Sequence, residues 1–297
     1  MRISTVIAFC LLILIDLCPA QAAEARAGLY NPPANVQKIR RLNRRVEFQY
    51  QVFGGGFSVV NANFNIRFSK GSYQATSIIE PRGIGLILAA GRFDSLVSGH
   101  ITNRGIRPRS YISNGTGQDT PYRVTMKWNN ARQLRVSARP GLAADRLRDV
   151  KSKLRAGMPD PLSALLAGTI YDTRRPCRGK RRIFDGHMIW DLRYRFIKLD
   201  HFGKTGSNRY SGPAYKCMVK YAPVAGYSKK TMQMERSSPL PYLPVWFAPV
   251  NVGNAAMLLP IKVIFPTKWI DAVVHLTRAR INGRTVRLST LGTAARK

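Results

Sequence analysis

Apolar and polar residues alternate with period two through most of the chain. Val46, Phe48, Tyr50 and Val52 alternate with charged or amide residues. After Gly54-Gly55-Gly56, Val60, Ala62, Phe64, Ile66 and Phe68 alternate with asparagines and Arg67. Alternation of this kind turns one face toward a core and predicts half-buried strands. Lys70-Gly71 reads as a turn, and Tyr73, Ala75, Ser77 and Ile79 continue the pattern, so the first three strands form a meander. Further strands are expected at 96–102, 109–113, 122–128 and 133–138. Turn residues separate them at Asn103-Arg104-Gly105, Asn114-Gly115 and Asn129-Asn130.

The second half repeats the style. Met188, Trp190, Leu192, Tyr194 and Phe196 alternate strictly after an Asp185-Gly186 turn. The sets at 215–221, 259–265 and 270–280 are also strand-like, and Asn282-Gly283 predicts a last hairpin returning through 285–288. The proline-rich stretch 239–249 reads as a loop with an edge segment, because proline cannot donate to a central ladder. Helix signals are few. Asp160-Pro161 followed by Leu162–Ala167 and Gly168 combines an N-cap, proline at the first helical position and a terminal glycine. A short apolar helix is expected near 84–91, and 145–155 is ambiguous. The pattern as a whole predicts a mostly β fold. Long antiparallel strands form a spiral or open half-barrel, with one or two short plugging helices.

The first residues change the compartment. Arg2, the apolar run Val6–Ile15, Pro19 and Ala20-Gln21-Ala22 have the three-part form of a cleavable secretory signal over 1–22. The run is too short to span a bilayer. The expectation is therefore a periplasmic protein whose membrane contact is peripheral. Residues 23–44 form an N-terminal extension, 45–288 a single β domain and 289–297 a C-terminal tail.

Export also sorts the cysteines. Cys10 and Cys18 leave with the signal, and Cys177 and Cys217 remain. An even pair in an oxidising compartment reads as a disulfide. The alternative, a zinc site, wants clustered Cys and His at short spacing, which the sequence lacks. No metal or other cofactor is expected.

The formal net charge is +33, spread along the chain rather than gathered in one tail. Such a field attracts polyanions. Outside the cytoplasm the available ones are anionic envelope components or lipids, so nucleic acid is not an expected partner.

Catalytic patterns are absent: there is no GxSxG elbow and no P-loop after the three glycines. His187, with Asp185 and Asp191 nearby, is the best polar-site candidate. On a strand, His187 and Asp191 would share one face. Phe64, Phe68, Trp190 and Tyr194 would either line an apolar cavity or fill an ordinary core.

Asp160-Pro161-Leu162-Ser163-Ala164-Leu165-Leu166, then Cys177, then Phe184-Asp185-Gly186, resembles the exported bacterial family of domain of unknown function 3108. The resemblance extends to the glycine-rich first hairpin, the Tyr73 strand, Ser98-Gly99-His100-Ile101, Ile106-Arg107-Pro108 and Tyr215-Lys216-Cys217. It implies a periplasmic protein of long antiparallel strands with no assigned enzyme activity. It also implies distant similarity to envelope-integrity β-spiral proteins and lipoprotein-carrier half-barrels, with a concave sheet and a disulfide matching Cys177–Cys217. His187 departs from the family, where an arginine follows Asp-Gly. The expected function is non-catalytic support of envelope integrity by binding an anionic envelope component or an apolar ligand. Lipid or lipoprotein carriage and a cell-wall hydrolase around His187 and Asp191 are the alternatives.

Overall fold

The alternating segments pair as long antiparallel strands. A computed structural model describes residues 34–288, apart from 84, 89–90, 117–120, 172–176, 204–209, 267–269 and 287. The signal segment and the C-terminal tail lie outside the described residues.

Seven strands form the first half: β1 (Asn43–Gly54), β2 (Phe57–Ser69), β3 (Ser72–Pro81), β4 (Phe93–Thr102), β5 (Gly105–Thr116), β6 (Pro121–Trp128) and β7 (Leu134–Arg139). The second half comprises β8 (Arg178–Phe184), β9 (Ile189–Phe202), β10 (Gly212–Ala225), β11 (Leu243–Val252), β12 (Ala255–Phe265), β13 (Ala272–Ile281) and the short β14 (Arg284–Val286). They make one sheet in the order β7-β6-β5-β4-β3-β2-β1-β13-β12-β11-β10-β9-β8, with β14 beside β13. Both halves are meanders, and the β1–β13 ladder joins them, running from Val46 opposite Ile281 to Gly54 opposite Ala272. The sheet is open: β7 and β8 are its edges.

Helices are α1 (Ala34–Arg40), α2 (Gly85–Leu88), α3 (Ala144–Lys153), α4 (Pro161–Tyr171) and α5 (Lys229–Ser237). Asp160 caps α4 as expected, its Oδ1 accepting the Ser163 N–H at 2.9 Å. The helix is apolar on nearly all sides and touches β3, β4 and β5 from one half and β8 and β12 from the other. A helix apolar all round must be enclosed, and the sheet curls around it. One buried cluster, which includes Phe68, Leu166, Trp190 and Phe247, fills the concave side.

The structure differs from the sequence expectations in several places. Part of the supposed N-terminal extension belongs to the packed unit. Val36 and Ile39 of α1 are fully buried, and the Asn35 side chain exchanges two 2.8 Å hydrogen bonds with the Ala256 backbone. Asn114-Gly115 is not a turn but the end of β5, where the Phe93 ring lies over Gly115 and supplies the missing side-chain cover. The 145–155 segment contains most of a helix, α3, and 178–184, where no strand was expected, forms the edge strand β8.

The proline-rich segment is also corrected. It carries β11, an interior strand paired on both sides, to β10 and β12. Its prolines avoid the doubly laddered positions. Pro244 lies within the β10 ladder only, Pro249 within the β12 ladder only, and Pro260 of β12 precedes the β13 ladder. Pro81, Pro108, Pro121, Pro213 and Pro223 also sit where a single ladder runs. A missing N–H then opens no gap between two neighbours.

Candidate anion-binding face

The residues singled out in the sequence fall into three places. Cys177 and Cys217 are fully buried and form a disulfide with Cα atoms 5.8 Å apart. It ties the segment entering β8 to the middle of β10.

The aromatic set does not enclose a ligand-sized hollow. Phe64, with Phe48, Tyr50 and Leu166, borders an apolar hole of about 20 Å³, room for about one water. Ligand pockets span roughly 300–1,000 Å³. Phe68 and Trp190 are core residues at 1% exposure, and Trp190 stacks on Tyr221 at 5.4 Å between ring centroids. Tyr194 is buried on the same strand. Leu162, Leu165 and Leu166 of α4 occupy the space beside Phe64.

Asp185 and His187 meet, but Asp191 does not join them. Asp185 Oδ1 accepts the N–H groups of His187 at 2.9 Å and Met188 at 2.7 Å. This ties 185–188 into a turn, so the strand begins only at Ile189 and the expected shared face of His187 and Asp191 does not form. Burial pushes the Asp185 carboxyl up. The His187 ring packs on Tyr122 at 5.3 Å and donates from Nε2 to the Pro140 carbonyl at 2.7 Å. The turn thus docks the β8–β9 end of the sheet against β6 and the segment after β7, closing by side chains a gap no ladder crosses. Asp191 instead accepts from Nε and Nη2 of Arg182, at 2.8 and 3.1 Å, and lies 3.7 Å from Lys180 Nζ. Among the described residues no three His, Cys, Asp or Glu gather to hold a metal ion.

A second buried chain runs from Tyr73 through Ser163, whose Oγ is 2.7 Å from the Tyr73 hydroxyl and donates to Asp160 Oδ2. Ser163 and Asp160 are fully buried. The chain anchors the first turn of α4 to β3.

Chemistry accessible from solvent lies on the convex face of the second half, and pairing register builds it. Lys180 of β8 stands opposite Arg193 of β9, which stands opposite Lys220 of β10. Arg178 stands opposite Arg195, and Lys198 opposite Lys216. The register shift between Lys216 and Cys217 absorbs Ile197 and keeps Arg193, Arg195 and Lys198 on one face. Like charges directly opposite across a ladder are destabilising, and here they come in successive rows.

Aromatic side chains hold several of these cations. Lys216 and Lys262 lie over the Trp246 ring at 5.1 and 5.3 Å, and Arg195 lies over Tyr242 at 5.3 Å. The nearby acids partly offset three of the cations: Asp191 lies 3.7 Å from Lys180 and Asp200 3.8 Å from Lys198. Asp200 accepts the Trp246 indole N–H at 3.0 Å, a bond that holds its carboxyl below the usual range. Glu235 lies 3.8 Å from Lys220. At the far end of β9, Phe196, Ile197 and Leu199 are exposed. The charge spread along the sequence does not reveal this face, because rows across strands depend on register.

Comparisons with known proteins add little. No family model and no curated protein matches the chain, so the likeness to domain of unknown function 3108 is a resemblance of residue order alone. Among solved structures, a β-barrel-like protein of domain of unknown function 1849 from Brucella abortus aligns with 80% of this chain and 98% of its own. The identity is 7% and the TM-score 0.39. A candidate lipoprotein from Parabacteroides distasonis aligns over 80% of this chain and 96% of its own, at 8% identity and TM-score 0.29.

Proposed function

We propose that this is a non-catalytic exported protein that supports the cell envelope by binding an anionic envelope surface through the convex face of β8–β12. The observation that carries this reading is the stacking of Lys180, Arg193 and Lys220, of Arg178 and Arg195, and of Lys198 and Lys216 as direct cross-strand neighbours. Asp191, Asp200 and Glu235 offset part of the charge, and a polyanion covering the face would relieve the repulsion that remains among Arg178, Arg193, Arg195 and Lys216. Each basic side chain near an anionic lipid surface contributes about 1 kcal/mol, so the rows together support peripheral attachment.

The filled interior favours surface binding over carriage of an apolar ligand. The fixed roles of Asp185, His187 and Asp191 in the turn and the Arg182 pair favour binding over hydrolysis. A basic protein with a secretory signal meets lipid phosphates in the periplasm, where this function would be exercised.

Co-sedimentation with vesicles tests it. Phosphatidylglycerol-containing vesicles should pull down the protein at about 0.02 M salt and release most of it at about 0.3 M, where the screening length shortens to a few ångströms. Pure phosphatidylcholine vesicles should not bind it. The variant Arg193→Gln/Arg195→Gln/Lys216→Gln should bind at least tenfold more weakly. Equal binding by variant and wild type, or indifference to lipid charge, would overturn the proposal.

A further inference from the structure

A separate basic pocket lies in the other half of the sheet, away from the convex face of β8–β12. The β4–β5 hairpin, the β6–β7 hairpin and the turn before α4 converge there on a space of about 190 Å³. That is below the range of drug-sized pockets. It suits a small polar ligand. His100, Arg107, Arg109 and Arg132 line it, and no Asp or Glu does. Among the described residues none of these three arginines has a carboxylate within ion-pair distance.

The residues are set by register and by the turns. His100 stands directly opposite Arg107. Arg107 and Arg109 share one face of β5, with the buried Pro108 between them pointing inward. The register shift between Ser98 and Gly99 turns this end of the hairpin. Arg132 has a left-handed backbone, φ 64°, in the β6–β7 turn, a conformation that costs a non-glycine residue energy and persists only where surroundings impose it. Its guanidinium lies across Gly157, where a Cβ would come within 2.1 Å of Nη2, and its carbonyl accepts the Gly157 N–H at 3.0 Å. Trp128 forms the floor, its indole N–H donating to the Met158 carbonyl at 3.2 Å. Asn129 is engaged with Gln133 through both side-chain atoms and His100 Nδ1 lies 3.3 Å from Ser72 Oγ, which leaves the arginines, His100 Nε2 and Asn130 for a ligand.

We infer that this pocket binds a phosphate monoester group. Several guanidinium forks converging on one polar space without an internal counter-ion match a compact dianion, which accepts bidentate hydrogen bonds from more than one arginine. A carboxylate offers one charge and two oxygens and would leave most of the donors unpaired.

Titration calorimetry on the full mature chain tests this, with inorganic phosphate, glycerol 3-phosphate and acetate as probes. The phosphate compounds should give saturable binding, and acetate none in the same range. Arg107→Gln/Arg109→Gln, exposed strand substitutions, should weaken phosphate binding about tenfold or more. Arg284→Gln, on the distant β14, should leave it unchanged. Thermal melts of each variant establish that the comparison is between folded proteins.

Tighter binding of glycerol 3-phosphate than of phosphate, with capture of phosphatidic acid vesicles by the Arg193→Gln/Arg195→Gln/Lys216→Gln variant, would identify a lipid head group as the source. Phosphate binding without such capture would identify a free phosphate. No saturable phosphate heat, equal affinity for acetate, or an unaffected double variant would overturn the inference. Each of those results leaves the binding of the convex face to phosphatidylglycerol where its own experiment puts it.

Discussion

Gly186, in the turn between β8 and β9, lies so close to Val124 of β6 that a Cβ would come within 2.3 Å of Val124 Cγ1. These residues belong to opposite ends of the strand order, and their contact closes the curled sheet where no ladder does. Gly186 also has φ 101°, a backbone that side-chain-bearing residues rarely adopt. Gly186→Ala therefore meets both a steric and a conformational cost. It should destabilise the fold by roughly 2–4 kcal/mol, seen as a lower urea midpoint. Faster hydrogen exchange in β6 and in the 185–188 turn than elsewhere should accompany it. An unchanged midpoint would mean that the seam contributes nothing to stability.

The Cys177–Cys217 bridge spans 40 residues. Closing a loop of that length in the unfolded chain is worth about 4 kcal/mol in the chain-entropy account. Cys177→Ser/Cys217→Ser should lose stability of that order, and non-reducing peptide mapping of the native protein should recover one linked pair. Two free thiols in protein purified from an oxidising compartment would contradict the bridge.

Asp160 makes stability depend on pH. Burial raises its carboxyl from an ordinary 3.8 to about 6, against the lowering effect of its Ser163 hydrogen bonds. The folded state therefore holds this proton more tightly than the unfolded chain. The contribution is full below the unfolded value and is lost as pH rises through about 6, some 3 kcal/mol in all. Asp160→Asn retains an N-cap and should flatten the fall in urea midpoint between about pH 4 and pH 7. A residual slope of the same sign should remain, because burial also raises the Asp185 carboxyl. Parallel curves for the two proteins would refute the assignment.

Leu166 is buried to 1% exposure at the helix surface that borders the small apolar hole. Leu166→Ala should cost roughly 2–5 kcal/mol and enlarge that hole. The variant should gain a thermal shift from a small apolar solute such as benzene that the wild type lacks. A stabilising response already present in the wild type would show that the interior is less filled than the packing of α4 indicates.

Much of the architecture was legible because strand alternation, turn residues and helix caps are local signals. The Lys70-Gly71 and Asn282-Gly283 turns take the left-handed backbone their residues favour, and Asp160 caps α4. The misreadings have physical causes. Asn114-Gly115 has turn chemistry, but the cover of Phe93 over Gly115 lets it continue a strand. The prolines of 239–249 signalled a loop, and tertiary register placed Pro244 and Pro249 of β11 each in a single ladder. His187 and Asp191 have the spacing of a shared face, which the Asp185 hydrogen bonds break one residue before the strand starts. The face Lys180–Arg193–Lys220 and the pocket around Arg107 combine residues far apart in sequence, so no window along the chain contains either.

By itself the sequence determined the class of fold, its meanders, the cap of α4 and an even pair of cysteines, because each depends on side chains within a few residues of one another. Only the tertiary structure decided that β1 joins β13, that Gly186 closes the sheet on Val124, that α4 fills the hollow and that cations stack in rows. Those features depend on which distant backbone completes a ladder and in what register. A shift of one residue would turn Arg193 and Lys216 from the convex face to the core, and nothing in the local pattern of either strand specifies its partner.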